Sequence, residues 1–134
     1  MKVLFDAIRS RFLATEQGAQ TDLYNDLKGQ LYFTQASQKA TFPYCVYTPI
    51  SHMYEFQFIE NFENIVIQFS IFSLDASAEN IEKYFEDLKV LYDWCNLTID
   101  GYRHVYMRRG QSRLLRDDRA WHRITDYRCY IEKI

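Results

Sequence analysis

Glycine and proline are scarce in this chain, with 4 Gly and 2 Pro among 134 residues. No low-complexity tract, internal repeat or Pro/Gly/Ser-rich linker interrupts it, so one domain over residues 1–134 is expected. Long apolar runs are missing too. None approaches the ~20 residues that span a bilayer as a helix, so no membrane partner is expected. The opening Met-Lys-Val-Leu-Phe-Asp6 is broken by Asp6, Arg9 and Arg11. It lacks the apolar centre of a signal peptide, and the expectation is a protein kept in the cytosol until it is assembled. Cysteine is sparse and odd in number: Cys45, Cys95 and Cys129 lie far apart. That argues against a disulfide framework and for buried structural thiols.

Catalytic signatures are also missing. The sequence has no Gly-rich phosphate loop, no nucleophile elbow and no paired Cys or His at metal-ligand spacing. His52, His104 and His122 are scattered. His104 and His122 facing each other across the last hairpin, near Asp117 and Asp118, would be one route to a metal site. Solvated turn carboxylates and two cross-strand histidines account for the same residues more simply. The expectation is no enzyme, no catalytic residue, no metal and no cofactor.

What the chain does have is patterning. Ile65, Ile67, Phe69 and Ile71 fall at every second position and share one face of a strand. Val66, Gln68, Ser70 and Phe72 make the other, mixed face. This nine-residue stretch, 65–73, reads as a central strand with one dry side. A helix follows over residues 76–94, with Ile81, Tyr84, Phe85, Leu88, Leu91, Tyr92 and Cys95 at spacings of three and four. Residues 2–15 form another helix, with Leu4, Ile8 and Phe12 as its stripe and Val3, Phe5 and Leu13 beside it. The polar run from Glu16 to Thr21, with Gly18, ends that helix.

The remaining elements are shorter. Residues 21–27 make a helical turn before Gly29. Residues 30–34 are a short strand with Leu31 and Phe33 on one face, and 35–41 are loop. Residues 42–48 are a strand entered through Pro43 and loosened at Pro49. Residues 54–59 are a further strand, with Tyr54, Phe56 and Phe58 on one side, and 60–64 turn the chain into the central strand. Leu97 to Ile99 is a short apolar piece, and Asp100-Gly101 is a turn. Two last strands cover 102–107 and 121–131, the second with Trp121, Tyr127, Cys129 and Ile131 on one face. Residues 108–119 between them read as a long exposed tip. The fold class expected is α+β: a mainly antiparallel sheet with an N-terminal helix and a central helix on one face.

Charge is uneven. Residues 101–134 carry nine basic and four acidic side chains, a net +5, whereas residues 1–100 carry seven and fourteen, a net −7. Oppositely charged halves suit head-to-tail contact between copies, a basic nucleic-acid patch, or cancellation within one monomer. Aromatics reach 17%, with 11 Tyr and 10 Phe, a content suited to interfaces as well as to a core. The candidate interface residues are Arg108, Arg109, Arg113, Arg116 and Arg119, with Tyr106 alongside. Arginines near aromatics grip phosphates and stack on bases. The chain as a whole is acidic, with net charge −2, which favours carboxylates of a protein partner over nucleic acid.

Several stretches in order resemble the tail terminator, or tail completion, proteins of long-tailed bacteriophages and prophages. They are the first helix, then Thr41-Phe-Pro-Tyr-Cys-Val-Tyr47, then Ile67-Gln-Phe-Ser-Ile-Phe-Ser73 running into a helix. Leu97-Thr-Ile-Asp-Gly-Tyr102 follows, then Asp117-Asp118 with Trp121, and Asp126-Tyr-Arg-Cys-Tyr-Ile131 closes the chain. The resemblance implies a structural virion protein at the head-proximal end of the tail, assembled in the host cytoplasm. It implies a homo-oligomeric ring, typically a hexamer, that caps the tail tube, stops its polymerisation and offers a surface to a head-completion protein. DNA would be passing cargo. A different head–tail connector or neck protein is the alternative within that class. A nucleic-acid-binding accessory domain using the Arg-rich hairpin is the alternative outside it.

Overall fold

The computed structural model describes residues 2–14, 20–57, 60–117 and 119–134. The elements are α1 (Lys2–Leu13), α2 (Asp22–Leu27), β1 (Leu31–Phe33), β2 (Tyr44–Gln57), β3 (Glu60–Ser73), α3 (Glu79–Tyr92), β4 (Tyr102–Asp117) and β5 (Ala120–Lys133). The five strands form one sheet in the order β1-β2-β3-β5-β4. Only β1 and β2 run parallel; the other three pairings are antiparallel. The α+β expectation holds, and β3 is the middle strand.

Strand periodicity decides which side of the sheet is dry. Ile65, Ile67, Phe69 and Ile71 are at most 1% exposed, and they face the helices. Their β5 partners Tyr127 and Cys129 are fully buried on the same side. α1 contributes Leu4, Ile8 and Phe12 to this core, and α3 contributes Ile81, Phe85, Leu88 and Tyr92. Each full burial of a side chain such as Phe69 is worth about 1.5–3 kcal/mol relative to exposure.

Polar ties fix the helices over the sheet. Tyr92 Oη donates to the Ile8 carbonyl at 2.8 Å, joining α3 to α1. Tyr47 Oη donates to the Phe5 carbonyl at 3.1 Å, joining β2 to α1. Arg11 Nε donates to the Leu91 carbonyl at 2.6 Å. α2 starts at Thr21, whose Oγ1 accepts the Tyr24 N–H, and stops at Lys28 in the left-handed conformation. Gly29 follows at φ +76°, where an added Cβ would lie 2.9 Å from the Tyr24 ring.

The thiols behave as read from the sequence. Cys45, Cys95 and Cys129 are free and buried. Burial raises all three, Cys95 to about 11 and Cys129 to about 12, so none is a ready nucleophile near neutrality.

Several boundaries differ from expectation. The strands expected at 42–48 and 54–59 are one strand, β2, which passes Pro49 through a register shift between Pro49 and Ser51. Proline cannot donate to the ladder, and an irregularity is where a sheet accommodates it. The turn expected at 60–64 is strand: Gln57 pairs with Glu60, and β3 starts there. Glu60, Asn61 and Asn64 look like turn residues, but the hairpin keeps its ladder through them. α3 starts at Glu79 rather than at 76, because Ala78 sits at φ −81°, ψ 1° without a side-chain cap. It ends at Tyr92 rather than at 94, and Trp94 turns the chain away at φ +54°. Phe33 and Leu13 are exposed at 43% and 37%, so Leu31 and the α1 stripe bury without them. α1 ends at Leu13 rather than at 15, and Ala14 already lies outside the helix. The shared face of Tyr54, Phe56 and Phe58 falls outside the described residues or side chains.

Candidate assembly surface

The largest correction concerns residues 108–119. They are not a loop. β4 continues to Asp117 and pairs with β5 as far as Asp117↔Ala120. The arginines therefore alternate between the two sides of an edge strand, with register shifts at His104/Tyr106 and Arg109/Ser112.

That alternation splits the candidate residues. Arg109 lies opposite Tyr127, on the helix side, with its guanidinium 3.6 Å from Asp93 and 5.8 Å from the Phe85 ring centre. Arg116 also turns inward. It donates to the Asp75 carbonyl at 3.3 Å and stacks 4.6 Å over Trp121. Arg123, beside them, pairs with Glu82 and lies 4.3 Å from the Phe85 ring centre. Arg108, Arg113 and Tyr106 point to the opposite side of the sheet, and Arg119 is exposed at the β4–β5 turn.

No helix among the described residues covers that opposite side. Two aromatic ladders cross it. At one end Phe62, Tyr130 and Tyr106 stack in series, with centres 5.1 and 5.3 Å apart. At the other end Phe42, Tyr44, Phe72 and His122 follow one another at 5.3, 5.1 and 4.1 Å. Between the ladders lies a cationic band. Arg108 is directly opposite Arg128, and Arg113 is opposite Ile124. Among the described residues no ion pair joins Arg108, Arg113 or Arg128 to a carboxylate. Like charges directly opposite in a ladder destabilise the isolated sheet, so this arrangement favours an anionic partner. Asp126 interrupts the band, and Gln68 Nε2 lies 3.5 Å from its Oδ1.

Arg128, Tyr130 and Phe72 belong to this surface, and sequence reasoning assigned them no role. The signal was present. Tyr127, Cys129 and Ile131 on the dry face require Arg128 and Tyr130 to face the other way.

The two histidines do not meet. His104 pairs across β5 with Ile131 and His122 across β4 with Leu115. His104 Nδ1 accepts the Leu97 N–H at 3.0 Å. Burial holds both imidazoles below their usual range. Among the described residues no group of three or more His, Cys, Asp or Glu side chains could hold a metal. Two open grooves share Leu74: one of about 700 Å³ also carries Asp117 and Arg119, and one of about 450 Å³ carries Phe42, Asp75 and Tyr84. Neither brings a nucleophile and a base together.

No protein-family model matches the chain, and no curated protein does. Solved structures do. A chain in the virion of a native gene transfer agent particle is similar over 96% of this chain and 96% of that one, at TM-score 0.77 and 11% identity. A second solved structure, whose name carries no function, is similar over 99% of this chain and 95% of that one, at TM-score 0.59 and 13% identity. At these identities the likeness is one of fold.

Proposed function

We propose that this chain is a structural protein of a virion, with no catalytic role. Within that class it acts as a tail terminator: an oligomeric ring, with six copies the expected number, that sits on the last tail-tube ring, ends tube growth and receives a head-completion protein. The observation that carries the reading is the end-to-end likeness to a chain of a virion particle. The residues that resemble the terminator family support the finer role, and the bare sheet face is consistent with an assembly surface.

The test uses polymerising tail-tube protein. Added chain should shorten the tubes and be seen at one end by electron microscopy. Tubes of unchanged length and bare ends would overturn the terminator role. Binding to the head vertex instead would move the chain to the neck proteins.

The cationic band of Arg108, Arg113 and Arg128 supports one further reading, nucleic-acid binding. It requires retention of the isolated protein on duplex DNA at low salt, lost steeply as salt rises.

A further inference from the structure

The sheet leaves two stretches of backbone open, and they differ in charge. β4 is an edge strand. Among the described residues its outer side is occupied only near its start, where Ile99 bridges Tyr102 and the Trp94 N–H donates to the Met107 carbonyl at 2.8 Å. Among the described residues nothing but β5 bonds the backbone of residues 108–117. On the opposite edge, β1 covers only Cys45 to Tyr47 of β2. Among the described residues, 48–57 of β2 pair with β3 alone. Each open stretch is ten residues long, about 33 Å of strand at 3.3 Å per residue.

We propose that β4 of one copy adds to the open edge of β2 in a second copy, so that the sheet runs on from subunit to subunit. This deepens the ring reading above and rests on it. The occupant is chosen by charge. The β4 stretch carries Arg108, Arg109, Arg113 and Arg116 and a single acid, Asp117. From residue 40 to residue 82 the chain has no Lys or Arg, and the hairpin of β2 and β3 carries Glu55 and Glu60. Two β4 edges meeting each other would set arginine against arginine. Two β2–β3 hairpins would set acid against acid. Only the unlike pairing brings opposite charges together, so the pattern selects head-to-tail contact and disfavours both symmetric dimers.

Direction agrees. β2 is antiparallel to β3, β3 to β5, and β5 to β4. β4 is therefore antiparallel to β2. A neighbour related by rotation about an axis along the strands keeps the same face inward and presents β2 antiparallel to β4. Such a contact uses two different surfaces on every copy, which is what a closed ring requires. Open edges are an aggregation hazard that proteins blunt with charge. Here the arginines block self-pairing of β4 and leave the acid-bearing edge as its partner.

The experiment is a charge swap on the full chain, read as the subunit dissociation constant by light scattering and sedimentation. Arg108→Glu with Arg113→Glu should weaken assembly by about tenfold or more, and so should Glu55→Lys with Glu60→Lys. All four changes in one chain should recover assembly to within about threefold of wild type. Amide hydrogen exchange on the unmodified chain is the second readout, independent of how the variants fold. Residues 108–117 should exchange more slowly in the assembled state than after dilution to monomer. Assembly indifferent to the reversals, loss without recovery in the fourfold variant, a wild type that stays monomeric, or protection confined to other segments would overturn the proposal. Rings that ignore the swap but cap tubes would leave the terminator reading standing. Rings that obey the swap but ignore tubes would remove that reading and keep the docking.

Discussion

Ile65, Ile67, Phe69 and Ile71 leave β3 toward the helices and are at most 1% exposed, while the interleaved Val66, Gln68, Ser70 and Phe72 meet no helix. The same strand thus serves two environments. The covered side is apolar, and most of its polar groups are matched: the Tyr92 hydroxyl reaches Ile8, and the Tyr127 hydroxyl reaches Asp93. The bare side keeps Arg108 against Arg128 and leaves two aromatic ladders half-exposed. A fold that needed only to be stable would not place like charges opposite each other there. The difference places most of the buried apolar packing on one side of the sheet, and its edges and bare side are the proposed assembly surfaces.

The widest gap should appear between two phenylalanines three positions apart. Phe69→Ala opens a cavity among Tyr47, Tyr92 and Tyr127 and should cost about 3–5 kcal/mol by urea denaturation. Phe72→Ala removes a ring stacked on Tyr44 and His122 and should cost less than half of that. Equal losses would break the comparison. Tyr127→Phe comes next. It deletes the hydroxyl that donates to Asp93 but keeps the ring, and about 1 kcal/mol should be lost.

On the bare side the sign should reverse. Arg128→Ser relieves the repulsion with Arg108 and should leave stability unchanged or raise it by up to ~0.5 kcal/mol. A loss of more than ~1 kcal/mol would mean that Arg128 has a stabilising role in the monomer.

A pH dependence is expected on the covered side, where α2 meets α3. Burial, followed by the hydrogen bond with Asp87, raises the Asp26 carboxyl to about 6, and Lys83 bonds both acids. The folded state holds this proton more tightly than the unfolded chain. Its contribution is therefore fullest below the ordinary carboxylate value of about 4 and is lost as pH rises through about 6. Asp26→Asn should gain stability relative to wild type across that window, read as the difference in urea midpoints. A constant difference from pH 4 to 7 would contradict the assignment.

Legibility followed burial. The alternation of β3 and the stripes of α1 and α3 were readable because one side of each element is dry, and dryness writes a period into sequence. β4 was not readable as a whole. Past Met107 it runs Arg-Arg-Gly-Gln-Ser-Arg-Leu-Leu-Arg, an edge strand whose long side chains lie along the sheet or in water, so the pattern is charge without apolar alternation. The joining of β2 across Pro49 was hidden for a related reason, since a proline normally argues against a continuous strand and only the register shift allows it. The candidate arginines were found by composition and then divided by geometry. Arg109 and Arg116 turned inward to Asp93 and Asp75, whereas Arg108 and Arg113 stayed on the bare side.

The most direct test of the account is the mass of the chain in solution, alone and after addition to polymerising tail-tube protein. A closed ring of several copies that appears on the ends of shortened tubes is the predicted result. A monomer at every concentration that leaves tube length unchanged would contradict it.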